Sequence, residues 1–244
     1  MNEKAMEIGA INTHFTSPHG LDDVEHYSTA KDLAIIADYA LNIEYISNIV
    51  KLKKAEIKIN NYNRIIGNTN EMLSCYSGAD GVKTGYTGDA GRCLVTSATV
   101  DDWQLISVVL GCNTKKQRTI ESTQLLNYGF QNFEFVNLCE NMQKEFEISV
   151  DKSKDKSLLF SVDEKFLYPL TTEEMSKIEY SYNFKNNFEA PVEKNTELGK
   201  IEIKLEGKII KQIKISLKNK ICRKNVIDYL KELLIELGET MQSM

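Results

Sequence analysis

The spacing of apolar positions changes several times along the first half of the chain, and each change predicts an element. The segment Met1-Asn2-Glu3-Lys4-Ala5-Met6-Glu7-Ile8-Gly9 reads as a short helix stopped by its glycine. A loop carrying His14, His19 and His26 follows, up to Thr29. Leu33, Ala34, Ala37, Ala40 and Leu41 then recur at helical spacing, and Thr29 with Asp32 reads as a capping box ahead of them. That helix is expected to end near Asn42. Residues 55–60 alternate like a strand, and residues 61–70 read as a polar loop. Two strand-like runs, 93–100 and 105–110, are preceded by the turn-rich Ser77-Gly78-Ala79-Asp80-Gly81. They predict an antiparallel sheet whose first strand carries Asp80-Gly81-Val82-Lys83-Thr84-Gly85-Tyr86-Thr87, with a glycine-rich turn, Gly88-Asp89-Ala90-Gly91, after it. A helix from about Thr114 to Tyr128 completes this part.

The pattern changes after residue 136. Phe146, Ile148 and Val150, then Ile178, Tyr180, Tyr182 and Phe184, then Ile201, Ile203 and Leu205 alternate with period two, as half-buried strands do. Glu206-Gly207-Lys208 reads as a hairpin turn, with Ile213, Ile215 and Leu217 on the return strand. Residues 224–244 return to helical spacing through Val226, Ile227, Leu230, Leu233, Leu234, Leu237 and Met241. The organisation expected is therefore 1–136 mixed helix and sheet, 137–223 a small all-β domain, and 224–244 an amphipathic helix.

Lys83-Thr84-Gly85 is the candidate chemistry. A lysine ammonium is a compact charge with three donors, suited to a carboxylate. The threonine hydroxyl beside it can donate to the same group. The glycine removes the Cβ that would keep an extended peptide off the strand edge. Taken alone, the triplet also fits an ordinary exposed strand lysine before a turn.

The surrounding residues reduce that ambiguity. Met1 to Gly9, Asn12-Thr13-His14-Phe15, His19-Gly20-Leu21-Asp22, Tyr27-Ser28-Thr29-Ala30, Gly81-Val82-Lys83-Thr84-Gly85, Ala90-Gly91, Leu105 to Gly111, Gln117-Arg118 and Leu125 to Phe130 occur in that order. In this order the chain resembles the low-molecular-weight penicillin-binding proteins, the serine D-Ala-D-Ala carboxypeptidases of the S11 peptidase family. The likeness is close over about the first 136 residues. It is looser beyond, where Glu189-Ala190-Pro191-Val192 and Leu198-Gly199 resemble the family's C-terminal domain. It implies an α/β (α+β) penicillin-binding, β-lactamase-like transpeptidase domain, present in part, followed by a small all-β domain and a C-terminal amphipathic helix. It also implies removal of a terminal D-Ala from peptidoglycan stem peptides through a serine acyl-enzyme, binding of β-lactams, an extracytoplasmic place in the cell envelope, and no cofactor or metal. Lys83, Thr84 and Gly85 match the family's third motif. Arg118 falls where the family places an arginine near the substrate carboxylate, a role that suits a bidentate donor. A solvated arginine beside Lys115 and Lys116 is the other reading of that position. Tyr86 stands where some members carry histidine.

The resemblance places the family's Ser-x-x-Lys and Ser-x-Asn motifs upstream of the segment matched by Met1, so a C-terminal part, catalytically incomplete by itself, is expected. Ser28-Thr29-Ala30-Lys31 reads better as a helix cap. Ser153-Lys154-Asp155-Lys156 falls in a charged loop, and Ser181-Tyr182-Asn183 follows the triplet within a strand pattern. A non-catalytic module binding cell-wall peptide or an envelope partner, and a split enzyme completed by another chain, are the rival readings.

Charge and cysteine usage narrow the remaining classes. With 30 basic and 35 acidic residues and a formal charge of -5, nucleic acid is not an expected partner. The N-terminus carries no apolar run, so no signal peptide is expected there, and read literally the chain would stay in the cytoplasm. Five cysteines without a Cys-x-x-Cys pair argue against a zinc or disulfide framework. The last helix carries Asp228, Glu232, Glu236 and Glu239 against Lys224 and Lys231, a poor match for anionic lipid. Attachment to a membrane surface and packing on the β-domain or on a second copy are both left open.

Overall fold

A computed structural model describes residues 1–60 and 62–242, with side-chain surroundings described up to residue 234. The chain divides into two compact units, Met1–Phe133 and Glu134–Met244.

The first unit opens with α1 (Asn2–Glu7), whose chain exit carries Gly9 at a φ of 92°, the left-handed turn that glycine tolerates. Helix α2 (Ala30–Leu41) starts at Thr29, whose hydroxyl accepts from the Asp32 amide at 3.1 Å. The expected reciprocal arm of the capping box is not made. The buried Asp32 carboxylate instead accepts from the Asn12 amide at 2.6 Å and the Thr13 hydroxyl at 2.8 Å. Asp32 thus ties the histidine-bearing loop to the helix. Helix α3 (Glu44–Val50) follows, then the hairpin β1 (Lys54–Ile59) and β2 (Tyr62–Gly67). The polar loop expected over residues 61–70 is therefore mostly a strand. Its side chains are all exposed, so the hairpin is held by the ladder and not by a buried face.

Helix α4 (Met72–Cys75) leads into the sheet β3 (Ala79–Thr87), β4 (Gly91–Val100) and β5 (Trp103–Cys112), antiparallel in the order β3-β4-β5. Helix α5 (Lys115–Asn132), capped by the Thr114 hydroxyl on the Gln117 amide, packs across β4 and β5. Met72, Leu94, Ala98 and Leu126 form the core between helix and sheet. Gly129 lets α5 approach closely, because a Cβ there would meet Leu105 Cδ1 at 2.4 Å.

The second unit is built of strands: β6 (Glu134–Asn137), β7 (Glu145–Asp151), β8 (Ser157–Ser161), β9 (Leu167–Leu170), and then, after the single-turn α6 (Thr172–Met175), β10 (Ile178–Phe184), β11 (Asn187–Glu189), β12 (Glu197–Leu205) and β13 (Lys208–Ser216). One sheet runs β10-β12-β13, another β11-β7-β8, and β6 pairs β9. The expected turn at Glu206-Gly207 joins β12 to β13, both residues with positive φ. Phe146, Phe160, Tyr182 and Phe184 stack and tilt against one another in the core. Helix α7 (Val226–Gln242) follows, its start closed by reciprocal Asn225–Asp228 hydrogen bonds at 3.0 Å. Val226, Ile227, Leu230, Leu233 and Leu234 on it are exposed, so they do not pack on the β-domain. The side chains of Glu236, Leu237, Glu239 and Met241 lie outside the described residues. No single helix among the described residues is long and apolar enough to cross a membrane.

The first core is small, so each member carries weight. Leu126→Ala is expected to cost about 2–5 kcal/mol, through lost burial plus a cavity. A denaturant midpoint within error of the unsubstituted chain would show that this core does not support the fold.

Candidate functional site

The start of β3 is fixed by a dense set of polar contacts. The Asp80 carboxylate accepts from the Ser97 and Thr99 hydroxyls, both at 2.6 Å, and from Gln104 at 2.9 Å. The Gly81 carbonyl accepts from the Thr96 hydroxyl and from Asn70 Nδ2, both at 2.7 Å. A Cβ at Gly81 would meet Ser97 Oγ at 3.0 Å and Val50 Cγ2 at 3.1 Å, so a larger residue there would push these side chains back by a few tenths of an ångström. The ladder shifts register here, between Ala79 and Gly81, and then runs evenly with Lys83 opposite Val95, Thr84 opposite Leu94 and Gly85 opposite Cys93.

β3 is an edge strand of its sheet, with Lys83 exposed on it. Lys83 Nζ donates to the Thr84 carbonyl at 2.7 Å, and the Thr84 hydroxyl shares a 2.6 Å hydrogen bond with that of Thr69. Gly85 borders a cavity of about 830 Å³, lined also by Leu21, His26, Tyr86, Asp89 and Cys93. The Arg92 guanidinium lies 4.3 Å from the Tyr86 ring centroid, a cation–π contact that holds the ring next to the triplet.

Arg118, in the first turn of α5, is 3% exposed, unlike its exposed neighbours Lys115 and Lys116. This excludes the reading of Arg118 as a solvated arginine. Its Nη1 donates to the carbonyl of Cys93, the residue opposite Gly85, at 3.3 Å, and its Nη2 donates to Glu71 at 2.7 Å. Its Nε is buried and has no hydrogen-bond partner among the described residues. The Thr119 hydroxyl also donates to Glu71, at 3.3 Å. Residues 69–71 therefore connect the two parts of the site: Thr69 meets Thr84, the buried Asn70 holds β3 through Gly81, and Glu71 holds Arg118. Sequence reasoning missed these three residues. Glu71 and Arg118 are 47 positions apart, and only the fold brings them together.

The other serine motifs are engaged elsewhere. Ser28 shares a 2.8 Å hydrogen bond with Thr13. Ser153 is buried, its hydroxyl donating to the Val150 carbonyl at 2.8 Å, and Lys154 pairs with Asp228. A further Ser-x-x-Lys, Ser149-Val150-Asp151-Lys152, spans the end of β7, where Lys152 pairs with Glu189. Ser181-Tyr182-Asn183 lies in β10, where Lys204 reaches Ser181 at 3.3 Å and the Tyr182 hydroxyl accepts from the Gln143 amide at 2.8 Å. Each loop histidine is hydrogen-bonded through Nδ1: His14 to the Glu25 carbonyl, His26 to Thr16, and His19 to Ser17 and Leu21.

The family model for D-alanyl-D-alanine carboxypeptidase matches residues 1–114, and that for the penicillin-binding protein 5 C-terminal domain matches residues 133–223. The D-alanyl-D-alanine carboxypeptidase DacF of Bacillus subtilis is 33% identical over 95% of this chain and 60% of its own length. The chain belongs to the D-alanyl-D-alanine carboxypeptidase family. DacA of Escherichia coli K12 is 36% identical over 95% of the chain and 58% of its own. The crystal structure of penicillin-binding protein 5 from Haemophilus influenzae matches with a TM-score of 0.70 at 32% identity, over 91% of this chain and 64% of that one. The chain thus spans about 60% of the length of the curated relatives it matches. The fold is that of these penicillin-binding proteins, with the family's C-terminal β-domain.

The charge state of the Arg118 contact depends on pH. Partial burial opposes ionisation of Glu71, but the hydrogen bond and charge of Arg118 outweigh it and hold the carboxyl below its ordinary value of 4.5. The ionised pair therefore stabilises the fold above that ordinary value, and the contribution is lost as pH falls through the lower folded value. Glu71 is 42% exposed, so water screens the pair and its worth is about 1 kcal/mol or less. Glu71→Gln is expected to lower stability near pH 6 and to flatten its decline toward pH 3, as read by thermal melting. Equal pH slopes for both proteins would show that the pair adds nothing.

Proposed function

We propose that this chain supplies the Lys-Thr-Gly wall of a D-alanyl-D-alanine carboxypeptidase cleft acting on peptidoglycan stem peptides. One observation carries the reading: the exposed edge strand bearing Lys83-Thr84-Gly85 has the buried guanidinium of Arg118 one strand behind it. An extended peptide ending in D-Ala-D-Ala would lie along β3, using backbone hydrogen bonds that an edge leaves open. Lys83, the Thr84 hydroxyl and Arg118 would hold its terminal carboxylate, with Gly85 allowing close approach. In the acyl-enzyme route a serine hydroxyl attacks the penultimate D-Ala carbonyl and the terminal D-Ala leaves. Water then cleaves the ester. The serine motifs within these 244 residues are engaged elsewhere, so the nucleophile of this route is supplied from outside them. β-Lactams would occupy the same wall, and the site of action is the cell envelope, where the peptide substrate resides.

Titration with a D-Ala-D-Ala peptide tests the reading, and β-lactam treatment followed by intact mass tests its division of labour. Lys83→Ala and Arg118→Lys are each expected to weaken peptide binding by about tenfold, the cost of one charged hydrogen bond. No mass shift with penicillin is expected for the 244-residue chain. Binding unchanged in both variants would remove the cleft, and a covalent adduct would place a nucleophile within these residues.

For α7 we propose contact with a membrane surface. Its support is the exposed row Val226, Ile227, Leu230, Leu233 and Leu234. Because Asp228 and Glu232 accompany it, vesicles of zwitterionic lipid are expected to retain the chain better than anionic ones. Equal recovery of Leu230→Asp and the unsubstituted chain in the vesicle pellet would exclude this contact.

A further inference from the structure

We infer that Glu71 is a resident carboxylate on Arg118, which the terminal carboxylate of an incoming ligand displaces. This deepens, and rests on, the reading of Arg118 as the carboxylate subsite. Glu71 is held by a guanidinium at 2.7 Å and a threonine hydroxyl at 3.3 Å. That donor set, guanidinium plus threonine hydroxyl, has the same chemistry as the one Arg118 and Thr84 would offer a ligand. The same segment also engages the second group, since Thr69 holds the Thr84 hydroxyl at 2.6 Å. Two of the three proposed carboxylate donors, Thr84 and Arg118, are thus in contact with residues 69–71.

The segment is built so that side chains exchange while its backbone stays. Asn70, 2% exposed between them, is anchored to the Gly81 carbonyl at 2.7 Å, and its own Oδ1 accepts from the Met72 amide at 3.1 Å. Glu71 is 42% exposed, so its carboxylate can rotate into water with little desolvation to reverse. Arg118 cannot follow it, being buried and bonded to the Cys93 carbonyl. A ligand acid arriving at Arg118 therefore meets a neutralised pair, and its affinity is lowered by what the Glu71 contact is worth.

The test is titration of the full chain with N-acetyl-D-Ala-D-Ala as free acid and as C-terminal amide, comparing the unsubstituted chain, Glu71→Gln and Glu71→Ala. Glu71→Gln should bind the acid about two- to fivefold more tightly, the factor matching a half-exposed ion pair, and bind the amide unchanged. Glu71→Ala should shift in the same direction. Equal or weaker binding of the acid by both variants would overturn the inference and make Glu71 a residue that only positions Arg118. If the unsubstituted chain binds the acid no better than the amide, or not at all, and Arg118→Lys changes nothing, the carboxylate subsite itself fails and the inference with it. The acid-to-amide ratio separates these two failures.

Discussion

The Gly81 carbonyl, shared between the Thr96 hydroxyl and the Asn70 amide, sets the geometry on which the rest of the site depends. An edge strand is bound on one side only, and its register is the property most easily lost. A slip of one residue would exchange the faces of β3 and put Thr84 where Lys83 now stands. The register shift between Ala79 and Gly81 falls at this anchor, with Asp80 taking three donors from β4 and β5 beside it. Past the anchor the pairing is even, so the position of Lys83-Thr84-Gly85 follows from contacts made two to four residues earlier. This separates the polar, buried part of the strand from the part that faces solvent, and leaves the exposed part free to bind.

Anchoring extends through Asn70 to the group behind the sheet. Because Asn70 sits between Thr69 and Glu71, the hydrogen bond that holds β3 also places Thr69 at Thr84 and Glu71 at Arg118. The Thr114 cap performs the matching task for α5, fixing the first turn from which Arg118 projects. Two local devices, a helix cap and a buried asparagine, thereby bring together side chains far apart in sequence.

What was legible in the sequence follows this division between local and long-range order. The sheet of β3, β4 and β5 was readable because turn residues bracket apolar runs, and the Glu206-Gly207 hairpin was readable for the same reason. The Thr29 cap was also visible, since a cap acts within four residues, and the start of α5 was expected near Thr114 without the cap that fixes it. The strand Tyr62–Gly67 was not, because it has no buried face to impose alternation and its asparagine, arginine and glycine read as loop. Helix α3 likewise has no buried residue to mark its period. Lys83, Thr84 and Gly85 were identified as a contiguous motif. Glu71 carried no local signal, and the second role of Asp32, as a tie to residues 12–13, is equally invisible in a pattern that reads it as a cap.

Glu71 also eases a problem of stability that a carboxylate subsite creates. A guanidinium as buried as that of Arg118 is costly without a counter-ion, by several kcal/mol once water is excluded. A site that waited for its ligand with that charge unpaired would lower the stability of a first unit whose core cluster is small. A partly exposed glutamate offsets only part of that cost, about 1 kcal/mol or less, while remaining exchangeable, because its own carboxylate is never far from water. Stability of the unliganded fold and affinity for an acid are then opposed through one contact, and the exposure of Glu71 sets the balance. A fully buried partner would hold Arg118 against any ligand, whereas a fully solvated one would leave the charge uncompensated.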